Sequence, residues 1–286
     1  MLTFKQFIIE GGAIKIGGVH ASPISITHEN RPHVQHDVHH MLSALHDSFH
    51  KEHGHHLFGD NKKALHTGSA YSGSTRHLMS KSISHKEFAK HKSTVGDVDT
   101  MVPKEHMEKL HKHLTVGKKF GDYEVAGTHK HGVEISALMK HKSGHVHQVD
   151  FEPSDYEKHE PSHGDHLLHD SDWHDMKKGI KGYHHKVLLN AAGGDKHKFS
   201  NAHGLKSRSD EKDKGTKSPE EITKKLFGDK AYHHKIHSFQ GLTDLIKKHV
   251  PKEHHQGIYN KFKEATDKNK KADHTTALAH LKDHLL

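Results

Sequence analysis

Apolar residues recur at helical spacing in two separate parts of the chain. The earlier pattern predicts one long amphipathic helix over about residues 32–52, because its apolar positions fall three or four residues apart and share one face. Histidines and other polar residues occupy the opposite face, which we expect to contact water. The apolar positions of this helix are Val34, Val38, Met41, Leu42, Leu45 and Phe49.

The later pattern predicts several shorter helices that together form a small helical C-terminal domain. Its start is marked by Ser218, which is suited to cap a helix, by Pro219 at the first helical position, and by Glu221 completing a capping box. The apolar stripes that follow are Ile222/Leu226, Phe239/Leu242/Leu245/Ile246, Ile258/Phe262/Ala265 and Ala277/Leu278/Leu281/Leu285.

Between these helical regions, apolar and polar residues alternate, and this period of two predicts strands. One strand places Asp97 and Asp99 on the same face, and a later strand carries Asp150 on the face opposite Val149 and Phe151. The later strand is expected to form a hairpin with the extended run before it, so that Asp150 lies beside the two earlier acids. The predicted strands are 96–102, 122–126, 133–139 and 145–152.

These elements predict an α+β fold, with a small mixed sheet, flanking helices and a separate all-helical C-terminal domain. Residues 209–218 are charged and lack large apolar side chains, which predicts a linker between a core domain at 11–208 and the helical domain at 219–286. The other segments are expected to be a helix at 103–114, a helix at 173–190, a strand and turn at 199–205, and loops at 80–94 and 153–172.

Composition limits the classes of protein that fit this pattern. The chain has 286 residues, a hydrophobic fraction of 31% and no cysteine. The mean hydropathy is −0.91. The core is therefore modest, and disulfide or thiolate chemistry is excluded, which fits a reducing compartment. No apolar run approaches the roughly 18 residues that a membrane span needs, and no secretory signal is present, so we expect neither membrane insertion nor secretion.

The net charge is +8, from 44 Lys and Arg against 36 Asp and Glu, and it favours polyanionic partners such as nucleic acid or nucleotides. The 41 histidines are the unusual feature of the composition. Without a metalloprotease motif or cysteine partners, chance spacing among so many histidines explains a cluster better than a zinc site does, so we expect surface polar residues. The cluster in question contains His159, His163, His166, His169 and His174.

The acidic residues on the predicted strands offer a more specific chemistry. Asp97 and Asp99 project from one face about 6.5–7 Å apart, and Asp150 arrives on a neighbouring strand. Carboxylate oxygens suit hard cations such as Mg²⁺, and the Gly73-Ser74 turn nearby offers backbone N–H groups to a phosphate. The three acids and the turn predict a site for a metal-bound triphosphate.

This order of motifs resembles the DNA polymerase beta-like nucleotidyltransferases, and more locally the nucleotidyltransferase-like proteins of tailed bacteriophages. The resemblance implies that Asp97, Asp99 and Asp150 are catalytic and hold two Mg²⁺ or Mn²⁺ ions, with an NTP as substrate. It also implies nucleotide contacts from the turn and from later cations: Gly73, Ser74, Thr75, Arg76 and Lys186. The gap between turn and acids is longer than usual in the family, and Gly68-Ser69 competes for the role of the turn.

The function implied by this resemblance is transfer of a nucleoside monophosphate from an NTP to a hydroxyl group, with release of pyrophosphate. The acceptor is an RNA, DNA, protein or small molecule that the sequence does not name. The alternative is a non-enzymatic, basic, head-internal phage protein that binds packaged DNA on an inactive nucleotidyltransferase fold, which the net charge of +8 favours.

The N-terminal residues resemble the capsid-targeting peptides of tailed phages. In those peptides a prohead protease cuts after a glutamate, and here Ile8, Ile9 and Glu10 supply the matching triplet. This resemblance implies removal of residues 1–10, packaging in the phage head and delivery into the host cytoplasm. The alternative is that Phe4 and Phe7 pack against the core domain.

Overall fold

The computed structural model describes residues 15–157, 160–161, 172–200, 203–269 and 273–286. The chain divides into two compact units, Met1–Ser162 and His163–Leu286. The described residues form helices and sheets in a mixed arrangement, which confirms the predicted α+β class. The proposed processing site at Ile8, Ile9 and Glu10 lies outside the described residues, as do the histidines at 159, 163, 166 and 169.

The helices of the first unit surround one long helix whose position was predicted. Helix α1 ends at His53 because Gly54 adopts a left-handed conformation with φ of 70°. Its buried face is the predicted apolar stripe, apart from Val34, which is only partly buried, together with Arg31 and His46. The prediction that the histidines of this helix contact water is wrong for His46, which is buried. The helices of this unit are α1 (Arg31–His53), α2 (Lys63–Thr67), α3 (Gly73–Met79), α4 (His85–His91) and α5 (Met107–His113).

A five-stranded sheet forms the other layer of the first unit, in the order β5-β9-β8-β7-β6. Strands β5 and β9 are parallel, and the remaining pairs are antiparallel, including the predicted hairpin of β8 and β9. The strands of this unit are β1 (Lys15–Ile16), β2 (Val19–His20), β3 (Ile24–Ser25), β4 (Thr94–Val95), β5 (Val98–Pro103), β6 (Lys119–Phe120), β7 (Tyr123–His131), β8 (Glu134–His141), β9 (Val146–Ser154), β10 (Tyr156–Glu157) and β11 (Glu160–Pro161).

One face of this sheet packs against the helices and so leaves the other face for polar side chains. A single apolar cluster joins Leu42 and Phe49 of α1 to Val98, Val149 and Phe151 of the sheet. Because side chains alternate along a strand, the acids between these core residues must project from the opposite face.

Two segments predicted as loops contain regular structure. Residues 80–94 include α4, whose first turn is capped by the Ser84 hydroxyl, which accepts a hydrogen bond from the Glu87 N–H at 3.2 Å. Strand β4 closes the segment by pairing with β3. The second segment, 153–172, begins with the last residues of β9 and then the short β10–β11 pair. Its residues 162–171 lie outside the described part of the chain.

The second unit contains helices and one β-hairpin. Every described element within 219–286 is a helix, as predicted, and the hairpin lies before this range. The predicted single helix at 173–190 is wrong, because Gly179 adopts φ of 80° and separates two helices. The elements of this unit are α6 (Trp173–Lys177), α7 (Gly182–Gly193), β12 (His197–Ser200), β13 (Gly204–Ser207), α8 (Pro219–Phe227), α9 (Phe239–His249), α10 (His255–Asp267) and α11 (Thr275–Leu285).

The division between units falls at residues 162 and 163, not at the predicted linker. The predicted linker folds back on β13, where Leu205 and Thr216 exchange two backbone hydrogen bonds of 2.8 and 2.9 Å. Asp213 fixes the bend by accepting hydrogen bonds from the N–H groups of Ser207 and Gly215. One apolar cluster contains residues from both sides of this segment, such as Leu188 and Leu242, so the segment lies within a folded unit.

Other sequence predictions in this unit agree with the structure. Ser218 caps α8 by accepting a hydrogen bond from the Glu221 N–H, with Pro219 at the first helical position. The predicted strand and turn at 199–205 correspond to the β12–β13 hairpin. In the part of the chain that the structure describes, no helix combines the length and apolar character of a membrane span.

Candidate active site

Three aspartates converge where β5 lies beside β9, as the sequence predicts. Asp99 and Asp150 are register partners on the two parallel strands, and Asp97 immediately precedes β5. Each of the three offers a carboxylate oxygen, and these oxygens all lie within 4.8 Å of one another. All three side chains are partly exposed, so the cluster is open to small solutes.

The segment before α3 runs along the outer edge of β5 and holds the turn against the acids. The Met101 N–H donates to the Ala70 carbonyl at 2.7 Å, and the Ser72 N–H donates to the Asp99 carbonyl at 3.2 Å. Tyr71 and Thr100 form an antiparallel bridge between these bonds. Since an edge strand exposes unpaired backbone groups, this segment both covers the edge of the sheet and fixes the position of Gly73.

Gly73 is in contact with one of the acids. It adopts φ of +53°, and a Cβ atom at this position would lie 2.6 Å from Asp99 Oδ2. Only glycine allows this close approach together with a left-handed backbone. The competing Gly68-Ser69 pair is used differently, because Gly68 ends α2 and Ser69 hydrogen bonds to Glu160. The geometry therefore favours Gly73-Ser74 as the turn beside the acids.

Thr75 fixes the backbone of the acidic segment. Its side chain is wholly buried, and its hydroxyl donates to the Asp97 carbonyl at 3.3 Å while accepting from the Asp99 N–H at 3.0 Å. The observed contacts give Thr75 a positioning role on the two aspartates rather than the predicted contact with nucleotide. Its side chain has no exposed surface to offer a ligand.

Burial and mutual repulsion disfavour the charged forms of the three acids. Burial raises the pKa of Asp150 to about 7, against a smaller opposing effect of hydrogen bonds from Ser136 and Gln148. Burial also raises the pKa of Asp97. The pKa of Asp99 is raised well above its usual range by burial and then by the neighbouring carboxylates. Without a counter-cation the cluster is therefore poised to retain protons near neutral pH.

Polar neighbours fix the carboxylates of β9 but leave one oxygen unused. Gln148 Nε2 donates to Asp150 Oδ2 at 2.8 Å, and the Ser72 hydroxyl donates to Glu152 Oε2 at 2.8 Å. Among the described residues, Asp150 Oδ1 is one of the few buried polar atoms that make no hydrogen bond. A buried oxygen without a partner is costly, so its position suits a ligand that is a cation.

The donor set fits Mg²⁺ or Mn²⁺. The three oxygens are carboxylate ligands of the kind hard cations prefer, and no histidine belongs to this cluster among the described residues. A bound cation would give Asp150 Oδ1 a partner and offset the repulsion among the three acids. The Gly73 backbone borders this cluster, since a Cβ atom there would lie 2.6 Å from Asp99 Oδ2.

Two further residues, Arg76 and Lys186, were predicted to contact nucleotide. Arg76 is an exposed residue of α3, and its backbone N–H bonds to the Ser72 carbonyl. Lys186 belongs to α7 of the second unit, whereas the acids belong to the first. Their contacts with nucleotide, like those of Gly73 and Ser74, stay predictions.

The sequence predictions missed some residues of the site. Glu152 raises the pKa of both Asp97 and Asp99, and the alternation in β9 does place it on the face of Asp150. Lys92 lowers the pKa of the same two carboxyls, and no feature of the sequence indicated it. Ser136 faces Asp150 across the β8–β9 pair, which only the register reveals.

Comparison of the chain with protein-family models, curated proteins and solved structures gives no match.

Proposed function

We propose that the protein is a metal-dependent nucleotidyltransferase with a polymerase beta-like core, which transfers a nucleoside monophosphate from an NTP to a hydroxyl group. The observation that carries the proposal is the convergence of Asp97, Asp99 and Asp150 within 4.8 Å beside the Gly73 turn. Phosphoryl chemistry asks mainly for alignment and neutralisation of charge, and this arrangement offers both.

Each residue of the site has a distinct part in the proposed reaction. Asp97, Asp99 and Asp150 hold Mg²⁺ or Mn²⁺, which when bound supplies positive charge to the triphosphate. Gly73 lets the phosphates approach the backbone beside Asp99, and Ser74 follows it in the turn. Thr75 keeps the two acids of β5 in register.

Asp150 is the residue best suited to accept the proton of the acceptor hydroxyl. One of its two carboxylate oxygens, Oδ1, makes no hydrogen bond within the described part of the chain. A general base must lie within hydrogen-bond reach of the proton that it accepts. The proton then leaves the hydroxyl for Asp150 as the hydroxyl oxygen attacks the α-phosphorus and pyrophosphate departs.

The test is incubation of the full chain with Mg²⁺ and NTPs labelled at either the α or the γ position. We expect transfer of the α label, release of the γ label as pyrophosphate, and loss of both by at least about a hundredfold in Asp97→Asn, Asp99→Asn and Asp150→Asn. Asp122→Asn is the matched control, since Asp122 pairs with Lys142 on the opposite edge of the sheet. Activity in the control and none in the site variants supports the proposal.

Absence of label transfer from all four NTPs, to protein, RNA, DNA and small-molecule acceptors alike, would contradict the enzymatic proposal. The basic DNA-binding alternative would then gain support from the net charge of +8, and from DNA binding that weakens steeply with salt.

We propose separately that the protein is a phage-head protein processed after Glu10. The support is the Ile8-Ile9-Glu10 triplet in the sequence. Mass spectrometry of the protein from virions should find a mature chain that begins at Gly11. A chain that still begins at Met1 or Leu2 contradicts processing by a prohead protease.

A further inference from the structure

A second cluster of metal-ligating side chains lies at the ends of α1 and α5 in the first unit. It consists of Glu52, His53 and His113, which each offer one ligand atom within 4.8 Å of the others. None of these residues belongs to the aspartate cluster, and the donors differ in kind. Two imidazoles and one carboxylate are ligands typical of Zn²⁺ and related transition metals, whereas the aspartates offer oxygen alone.

The spacing of the donors matches the dimensions of a tetrahedral site. His53 Nε2 lies 3.5 Å from Glu52 Oε1, and His113 Nδ1 lies 3.3 Å from Glu52 Oε2. Zinc bonds to nitrogen and oxygen of about 2.0–2.1 Å place neighbouring tetrahedral ligands about 3.3–3.4 Å apart. The two histidine–carboxylate distances, which involve different oxygens of Glu52, are close to this value, and one ligand atom from each of the three residues lies within 4.8 Å of the others.

One ligand atom of the cluster, His53 Nε2, lacks a hydrogen bond. This atom is buried, and it is among the few such atoms in the described residues that make no hydrogen bond. The ring is held by Phe49, with ring centroids 4.6 Å apart. A fixed imidazole nitrogen that makes no hydrogen bond, with a carboxylate oxygen 3.5 Å away, is favourably placed to bind a metal.

His113 already has the tautomer that metal binding requires. Its Nδ1 accepts a hydrogen bond from Lys118 Nζ at 2.9 Å, so the proton of the neutral ring must reside on Nε2. Nε2 then donates to the Ser48 hydroxyl at 3.1 Å. This contact orients the ring as outer-shell partners do in known metal sites. The His113 ring also stacks on Phe120, so the donor is both neutral and fixed.

A cation already contacts two of the three ligands. The ammonium of Lys118 donates to Glu52 Oε2 at 2.7 Å and to His113 Nδ1 at 2.9 Å. Lysine carries its charge on a flexible four-carbon stem, so the ammonium can leave without a change in the backbone. Glu52 is half exposed, which gives an ion a path from solvent and leaves room for a water as fourth ligand.

We propose that Glu52, His53 and His113 form a second metal site, selective for Zn²⁺ or a similar transition metal over Mg²⁺, with the Lys118 ammonium as its competing occupant. Binding replaces one cation by another: the lysine moves into water with its proton, and the metal takes the same lone pairs. The wholly buried His113 anchors the site, and the exposed Glu52 closes it.

The experiment is titration of the full, chelator-treated chain with Co²⁺, followed by Zn²⁺. Co²⁺ reports its geometry through its visible absorption, which is intense in four-coordinate sites and weak in the octahedral sites that scattered surface histidines provide. We expect one equivalent of the intense spectrum in the wild type, displaced by Zn²⁺ and not by Mg²⁺. Glu52→Gln and His53→Gln should each weaken this binding by at least about tenfold.

Two further variants separate the proposal from incidental binding. His36→Gln is the matched control, because His36 and His40 form an exposed pair on the same helix that could chelate metal nonspecifically. It should leave the intense spectrum unchanged. Lys118→Met should tighten Co²⁺ binding, since it removes the competing cation. The proposal is overturned if only the weak spectrum appears, if the control loses as much as His53→Gln, or if Lys118→Met does not tighten binding. Circular dichroism of each variant verifies that it is folded.

Discussion

At the residue scale, the surroundings of Asp150 lower the stability of the metal-free protein but suit the binding of a charged ligand. Its carboxyl is buried among other acids, and one of its oxygens makes no hydrogen bond within the described residues. Gly73 adds a similar constraint, because no other residue fits beside Asp99. Such features are expected where a site must receive a charged ligand, and they predict that removing the charge stabilises the metal-free protein.

We predict that Asp150→Asn is more stable than the wild type at pH 8 without metal, by about 1–3 kcal/mol. Burial raises the pKa of Asp150 to about 7, above its unfolded value, so its contribution to stability is present in acid and is lost as pH rises through 7. The difference between variant and wild type should therefore grow from pH 5 to pH 8. Chemical denaturation at each pH measures it.

The same measurements with Mg²⁺ and with a control variant test the cause. Mg²⁺ should stabilise the wild type more than Asp150→Asn, because the metal replaces the proton as counter-charge. Asp122→Asn should show no gain at pH 8, since the Lys142 contact lowers the pKa of Asp122. A gain in the Asp122 control equal to that of Asp150→Asn would mean that general charge reduction is responsible.

At the scale of elements, one buried arginine joins the start of α1 to the segment between α3 and α4. Arg31 is wholly buried and donates five hydrogen bonds to backbone carbonyls in 77–83, with its guanidinium 4.7 Å from the ring centroid of Phe88. The planar guanidinium has five N–H donors, which suffice for the four carbonyls of His77, Leu78, Ser80 and Ile83, whereas lysine has three. The carbonyl groups that α3 leaves at its end are satisfied in this way.

We predict that Arg31→Met destabilises the first unit by at least about 3 kcal/mol, because several buried carbonyls lose their donors together. Gln35→Ala is the graded comparison, since Gln35 donates one hydrogen bond to the Leu78 carbonyl and its loss should cost about 1 kcal/mol. Urea unfolding followed by tyrosine fluorescence measures both. Equal losses of unfolding free energy in the two variants would show that the guanidinium is not the main stabilising contact between α1 and residues 77–83.

Several elements could be predicted from local pattern, and others depended on contacts that no local pattern contains. The stripe from Val38 to Phe49 gave α1, and alternation around Asp97 and Asp150 gave both strands and their acidic face. The break at Gly179 was missed because apolar spacing continues across it. The fold-back of residues 208–218 was missed because charged residues also suit a linker, and only the Asp213 contacts distinguish the two.

Some residues of the candidate site could likewise be predicted from local pattern, and others could not. The three aspartates were predictable because strand alternation fixes their face, but Thr75 was assigned to nucleotide when its hydroxyl binds the strand. No sequence pattern indicated the cluster of Glu52, His53 and His113. With 41 histidines in the chain, ligand-like spacings arise by chance and do not single out this cluster. Its residues meet only when α1 and α5 pack together.

At the scale of the whole molecule, buried neutral histidines make the stability of both units depend on pH. Burial lowers the pKa of His185 to about 4, and its Nε2 donates to the Ile236 carbonyl at 2.7 Å. The same cause lowers the pKa to about 4 at other histidines in the two units: His46, His113, His184 and His280. In the unfolded chain these groups take up protons near pH 6.5.

We predict that the protein loses stability as pH falls from 7 to 5. The folded pKa of these histidines lies below the unfolded value, so their contribution is present above about pH 6.5 and is lost as pH falls towards 4. His185 alone accounts for about 2 kcal/mol at pH 5. Urea denaturation at pH 7 and pH 5 should show the loss, and His185→Gln should make it smaller.

An exposed histidine provides the control for this prediction. His36→Gln should leave the loss between pH 7 and pH 5 unchanged, because the His36 side chain is exposed in the folded state. If both variants show the loss of the wild type, burial of histidine is not its cause.

The parallel pairing of β5 with β9 has a consequence for when the protein acquires its acidic cluster. Asp99 and Asp150 are register partners although about 50 residues separate them, so their meeting requires a long loop to close. The β8–β9 hairpin is local and can form early, and its docking against β5 then completes the cluster. During synthesis at roughly 5–20 residues per second, a nascent chain must therefore extend beyond Ser154 before it can gather the three carboxylates. Shorter fragments carry all the sequence around Asp97 and Asp99, yet cannot assemble the cluster of three carboxylates.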